Sequence, residues 1–221
     1  KEVPETLPFM GTSCCPAWSV MAKKLFPEQA NCISMALTPM TLTARLIKHH
    51  QPGAKVAFIG PCAAKKLEAM RRTVRSEVDF VLTFEEMAGI FEARHIDVNT
   101  LKEDPHGVND ASADGRNFAV SGGVAQAVVN VIKEKYPDRE IKVANAEGLS
   151  ECRKLMMMAK AGKYNGYLLE GMACPGGCVA GAGTMQSIKK SSVAVNMYAK
   201  QAEHQVATGT HHVAELDKLV D

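Results

Sequence analysis

Glu170-Gly171-Met172-Ala173-Cys174-Pro175-Gly176-Gly177-Cys178-Val179-Ala180-Gly181-Ala182-Gly183 is the stretch on which this chain turns. The hydrophobic residues 167–169 lead into it and read as a short buried strand. Pro175 suits the first position of a new helix, where its missing N–H costs nothing. Cys174 and Cys178 are four residues apart, so a helical first turn would set both sulfurs on one side. A helix N-terminus carries positive potential and free N–H groups, which favour thiolate over thiol. Gly176, Gly177, Gly181 and Gly183 leave room where something bulky presses on the backbone. The stretch suits a large anionic sulfur cofactor. Taken alone, it reads equally well as a Gly-rich turn with two unpaired cysteines.

Outward from this stretch, strand patterns alternate with helix patterns. Strands are expected at residues 55–59 (buried, ending at Gly60-Pro61), 78–83, 118–121, 140–146 and 165–169. Helices are expected at 18–26, 39–50, 63–72, 84–93, 124–135 and 149–160. This alternation predicts an α/β fold with parallel sheets flanked by helices. The cysteine motifs then fall at the carboxyl ends of strands, where such sheets bind ligands. Residues 95–116 are polar and rich in Asp, Asn, Gly and Pro, which makes them the linker candidate. The tail from Ala199 holds His204, His211 and His212. It reads as a solvated, partly helical end, with a loose metal site as the lesser alternative.

A length of 221 residues accommodates one large domain or two small lobes. The formal net charge of +2 gives no sign of nucleic-acid or membrane binding, and no run of 18 apolar residues exists. The first residues do not resemble a secretory leader. The missing initiator Met points to a processed product or a start inside a longer protein. Seven cysteines, an odd number in a chain this long, favour metal ligands or reactive thiols in a reducing compartment, and the cytoplasm is expected. Their spacing lacks the two short pairs that zinc wants, while thiolates in fours also suit iron–sulfur.

Two more stretches carry chemistry: Thr12-Ser13-Cys14-Cys15-Pro16-Ala17-Trp18, and Gly60-Pro61-Cys62-Ala63-Ala64-Lys65-Lys66-Leu67-Glu68. Adjacent cysteines cannot point the same way in a turn, so Cys14 and Cys15 have different jobs. Two lysines in the first turn of a helix oppose its dipole, so at least one needs an anionic partner. Lys66 reads as solvated. With the glycine-rich stretch, these motifs resemble the catalytic, H-cluster domain of the FeFe-hydrogenases. Members of that family carry T-S-C-C-P-x-W, P-C-x-x-K-x-x-E and E-x-M-x-C-x-x-G-C in this order. The resemblance runs from about Met10 to about Gly183, and three linked motifs are far more specific than one.

The resemblance implies two lobes with a metal site between them. It implies a 4Fe-4S cluster on Cys15, Cys62, Cys174 and Cys178, with the Cys178 sulfur shared with a di-iron subcluster that bears CO and cyanide. Cys14 would relay protons, Lys65 would face a cyanide ligand, and Pro61 and Met172 would lie against the di-iron pocket. Glu68 would stand behind the ligands, and Ser121-Gly122-Gly123-Val124 would form a turn beside the site. Ser34, nineteen residues after Cys15, matches a serine of the proton path, with a helix N-cap as the alternative. H2 and protons would be the substrates. Ferredoxin or another electron-transfer domain or subunit, and the hydrogenase maturation proteins, would be the partners.

This chain departs from the family at Ala182, Gly60, Gln126 and Met40. It also lacks the acidic stretch that precedes the first motif in family members, and any C-x-x-C-x-x-C run. The expected unit is therefore residues 1–221 as the catalytic domain without its N-terminal part, with a lobe boundary near 95–116. A non-catalytic iron–sulfur assembly or sensing relative of the same fold is the alternative. Cys14 and Lys65 favour the hydrogenase, since a scaffold without a di-iron unit needs neither.

Overall fold

A computed structural model describes residue 3, residues 5–102 and residues 110–216. Among these described residues, the short strands are β1 (Met10–Gly11), β2 (Ala57–Ile59), β3 (Phe80–Leu82), β4 (Lys142–Glu147) and β5 (Tyr167–Met172). They form two parallel sheets, one ordered β1-β5-β4 and the other β2-β3. Helices lie between and around them: α1 (Pro16–Leu25), α2 (Pro39–His50), α3 (Ala64–Met70), α4 (Phe84–Ala93), α5 (Ala113–Arg116), α6 (Gly123–Lys135), α7 (Leu149–Lys160), α8 (Ile188–Lys200) and α9 (Val213–Leu216). The α/β reading with parallel sheets flanked by helices therefore holds.

Local chemistry sets several boundaries. Thr38 caps α2 by accepting from the Thr41 N–H, Pro39 fills its first position, and Lys48, His49 and His50 sit in its last turn. Thr83 and Glu86 close a reciprocal capping box at the start of α4. Both helices match their expected spans residue for residue, as does α7.

The main core lies between α1, α7 and the three-stranded sheet. Phe9, Trp18, Ile33, Cys152, Met156 and Leu169 are all fully buried there. Trp18 lies flat against Gly171, where a Cβ would stand 2.2 Å from the ring, so α1 reaches the sheet only because position 171 has no side chain. The Trp18 indole N–H donates to the Thr12 carbonyl at 3.0 Å and satisfies its one polar atom.

Four expectations need correction. Residues 118–121 are not a strand: Asn117–Ala119 is a 3-10 turn, with the Val120 N–H bonded to Asn117 O and the Ser121 N–H to Gly176 O. Strand β5 runs to Met172, because Glu170, Gly171 and Met172 stay paired with Asn145, Ala146 and Glu147 of β4. No α-helix begins at Pro175. Gly176 and Gly177 both have φ of +92°, which ends any helical path, and Cys178–Ala180 forms a 3-10 turn instead. Strand β2 is not buried, since its sheet has only two strands and Ile59 stays 47% exposed.

Of the stretch read as a linker, residues 103–109 lie outside the described residues. Val98–Thr100 is a 3-10 turn, and α5 packs against α6 and α8.

Candidate metal centre

Three turns, each following a parallel strand, carry five of the seven cysteines. Cys14 and Cys15 follow β1, with Cys15 as the residue that precedes α1 and Pro16 as its first residue. Cys62 lies between β2 and α3. Cys174 and Cys178 follow β5. Backbone bonds bring the turns together. The Thr12 N–H donates to Leu169 O at 2.9 Å, which ties the first motif to β5, and the Gly183 N–H donates to Pro61 O at 2.9 Å, which ties the last motif to the second. The Gly176 N–H donates to Glu147 Oε2 at 2.7 Å and pins the turn between Cys174 and Cys178 to the end of β4.

A cavity of about 130 Å³ opens where the turns meet. Cys14, Cys15, Cys62, Cys174 and Cys178 line it, with Lys65 and Met172. The structure thus brings together all four expected ligands, the expected relay cysteine, the lysine and the methionine. A larger hollow of about 450 Å³ lies beside Tyr136 and Tyr167 and holds no cysteine. The cavity is the smaller of the two, but it is where the thiols converge.

A single zinc at about 2.3 Å from each sulfur places the sulfurs about 3.8 Å apart. Among the described residues, no three cysteine sulfurs lie within 4.8 Å of one another. Five thiols on one cavity suit a thiolate-bound metal centre, iron–sulfur among them. The Ala173 N–H donates to Cys15 Sγ at 3.5 Å, the kind of contact that supports a ligating thiolate.

Burial and mutual proximity favour the protonated form of three of the cavity thiols. Burial, together with the neighbouring Cys62 and Cys15, pushes the Cys178 thiol up to about 11. Burial, with Glu170 and Cys15 nearby, pushes Cys14 up to about 12, and Cys174 moves the same way. Thiols crowded like this give up their protons to a metal centre that offsets the charge.

Lys65 is buried, and its Nζ donates to Glu68 Oε2 at 2.7 Å and to the Cys14 carbonyl at 3.5 Å. The anionic partner expected for one of the two lysines is therefore Glu68. Contrary to expectation, Lys66 is not simply solvated. Its Nζ bonds to the Val81 carbonyl at 3.0 Å and to the Glu86 carboxylate at 2.7 Å, because α3 lays it across β3 and the start of α4.

Met172 is buried at the end of β5. Pro61 does not line the cavity and serves through its carbonyl. Ser34 does not line it either. Its Oγ accepts the Ala36 N–H at 3.1 Å, and Thr38, not Ser34, caps α2. Cys152 donates from Sγ to the carbonyls of Ala146 and Met172, and burial pushes it up to about 12. Cys32 is buried too, so both spare cysteines belong to the core.

Glu170 received no role from the sequence. It is fully buried and accepts the N–H groups of Gly122 and Ala125, each at 2.6 Å. The signal was present, because an acid inside an apolar strand has to be paired with something.

Residues 1–182 match the family described as "Iron only hydrogenase large subunit, C-terminal domain". The chain is 30% identical over 215 residues to the periplasmic [Fe] hydrogenase large subunit of Nitratidesulfovibrio vulgaris, a match that covers 78% of this chain and 50% of that protein. It is 26% identical over 148 residues to a cytosolic Fe-S cluster assembly factor of Kluyveromyces lactis, covering 63% of this chain and 32% of that one. The chain therefore spans half or less of the length of these relatives. A solved [FeFe]-hydrogenase, HydA(deltaEFG), superimposes with a TM-score of 0.75 at 23% identity, over 98% of this chain and 72% of that one, which shows a shared fold.

Proposed function

Because the chain belongs to the family defined by the C-terminal domain of iron-only hydrogenase large subunits, we propose that its cavity is the H-cluster site of an enzyme that interconverts H2 with protons and electrons. Cys15, Cys62, Cys174 and Cys178 hold a 4Fe-4S cluster, and Cys14, Lys65 and Met172 face a di-iron subcluster with CO and cyanide ligands. When bound, these groups supply the electron transfer and the H–H chemistry. The chain's own residues bind and orient them. The half-buried walls limit water, Cys14 offers a proton-carrying group at the cavity, and Lys65 offers a cation.

One observation carries this reading: Cys14 and buried Lys65 open on the same cavity as four further cysteines. A four-cysteine cluster scaffold has no need of a fifth thiol or a buried ammonium. We extend the proposal to an electron-transfer partner such as ferredoxin, to maturation proteins that deliver the di-iron unit, and to the cytoplasm, where seven free thiols stay reduced. Among the described residues, no helix is long and apolar enough to cross a membrane. We take residues 1–221 as one unit with a lobe boundary near 95–116, and Ser34 as a step on the proton path.

A second reading has its own support. Lys65 is already neutralised by Glu68, and the chain resembles a protein named as a cluster assembly factor. Here the 4Fe-4S cluster forms and no di-iron unit follows. Infrared spectroscopy on the full-length protein, matured without oxygen, separates the two. Bands from iron-bound CO and cyanide support the hydrogenase. A full iron–sulfur complement with no such bands supports the scaffold.

A further inference from the structure

Away from the cysteine cavity, Asp110, His211 and His212 bring a carboxylate oxygen and two imidazole nitrogens within 4.8 Å of one another. The carboxylate comes from the segment before α5, and the imidazoles come from the turn before α9. His212 Nε2 lies 2.7 Å, and His211 Nε2 lies 3.6 Å, from the same oxygen, Asp110 Oδ2. The two rings stand 3.9 Å apart between centroids. We propose that these three side chains form a second metal site, which takes a divalent first-row transition cation such as zinc.

Three electron-pair donors converge there on one point. A hydrogen bond accounts for the contact of Asp110 with His212 but not with His211, since 3.6 Å is beyond hydrogen-bond reach. One shared cation would draw on all three groups at once. Zinc at about 2.0–2.2 Å from nitrogen and oxygen sets tetrahedral ligands about 3.3–3.6 Å apart. The His211 distance already matches, and the His212 pair needs to open by less than about 1 Å.

The side chains have room to adjust. His211 is 66% exposed, His212 45% and Asp110 39%, so water completes the coordination. Imidazole donors select zinc, nickel or copper over magnesium and calcium, which take oxygen ligands. A bound cation would fasten the C-terminal segment to the segment that leads into α5, a helix packed on α6 and α8.

The test uses the full-length protein with its iron–sulfur centre loaded, so that the cysteines are occupied. Zinc is titrated in competition with a chromophoric chelator. Wild type should hold one more zinc than His211→Ala or Asp110→Asn, or bind that zinc at least about tenfold more tightly. His211→Ala is decisive, because it keeps the Asp110–His212 hydrogen bond and removes only a ligand. Copper(II) EPR should show coupling to two imidazole nitrogens in wild type and to one in His211→Ala. Equal zinc binding by wild type and His211→Ala, or zinc displaced by an equal concentration of magnesium, overturns the site.

Discussion

Glu170 Oε2 accepts the Ala125 N–H at 2.6 Å, so a carboxylate inside strand β5 holds the first turn of α6. Its other oxygen takes the Gly122 N–H at the same distance. Helix N-termini leave N–H groups unpaired, and here a side chain from another element fills that need. Burial raises the Glu170 pKa while the backbone N–H groups work to lower it. The contact also fixes the end of β5, from which the Cys174–Cys178 turn departs.

Glu170→Gln should therefore destabilise the protein. A carboxamide accepts with one oxygen and sets an NH2 group against the second N–H, leaving a buried donor unpaired. That costs about 1–3 kcal/mol. Denaturant unfolding of the two proteins measures it, and an unchanged midpoint would mean that α6 is held by packing alone.

Sequence made much of this legible, and the limits have physical causes. The spans of α2, α4 and α7 could be read because their helix patterns run unbroken from Pro39, Phe84 and Leu149. The three cysteine turns could be read because their motifs are long and linked. What could not be read came from partners distant in sequence. Glu170 needs Ala125, Lys66 needs Val81 and Glu86, and the length of β5 depends on β4. The turn after Cys174 failed for a local reason. Pro175 fits a helix start, but two following glycines in the left-handed region override it.

Asp79 gives a pH prediction. It accepts the Val56 N–H at 2.8 Å and pairs with Lys48 at 2.9 Å and Lys55 at 3.2 Å, and the backbone bond and Lys48 hold its carboxyl well below the usual range. Its folded value is depressed, so its stabilisation is present above the unfolded value of about 3.9 and is lost as pH falls toward the folded value. Melting temperature should fall on acidification in wild type. Asp79→Asn should start lower at neutral pH and lose less between about pH 5 and pH 2. Parallel acid profiles for the two proteins would discount the contact.

The four ligand positions are tested by cluster content. After anaerobic reconstitution, Ala at Cys15, Cys62, Cys174 or Cys178 should lose or distort the 4Fe-4S EPR signal. Ala at Cys152, a core thiol away from the cavity lining, should leave the signal in place at some cost in stability. Unaltered iron content and spectrum across the four variants would remove the assignment.

Cys14 lines the cavity beside the four proposed ligands. In the matured full-length protein, Cys14→Ser should keep both metal units by iron content and infrared bands. Its turnover should drop by about 10²–10⁴-fold, the usual contribution of a general acid–base group. Cys14→Asp should retain more activity, since a carboxyl still exchanges protons. Wild-type turnover in Cys14→Ser would make this thiol structural.

Lys65 and Glu68 form a buried pair, and that pair can separate the two readings of the cavity. Lys65→Ala leaves the Glu68 carboxylate buried without a partner, which costs about 3–5 kcal/mol whatever the cavity holds. Loss of function in that variant alone would therefore prove nothing about metal. Lys65→Ala combined with Glu68→Ala removes both charges and should recover most of that stability. If the Lys65 ammonium holds a cyanide-bearing unit, the double variant should still fail to retain the di-iron infrared bands while keeping the 4Fe-4S signal. A charge-assisted hydrogen bond of about 1.5–3 kcal/mol implies retention weakened by roughly tenfold or more. Glu68→Gln works in the other direction: it keeps the ammonium, weakens its existing ion pair and should leave di-iron retention intact. Full di-iron occupancy in the double variant would show that the pair only ties α3 together, and Lys65 would then no longer argue for a di-iron unit over a plain cluster scaffold.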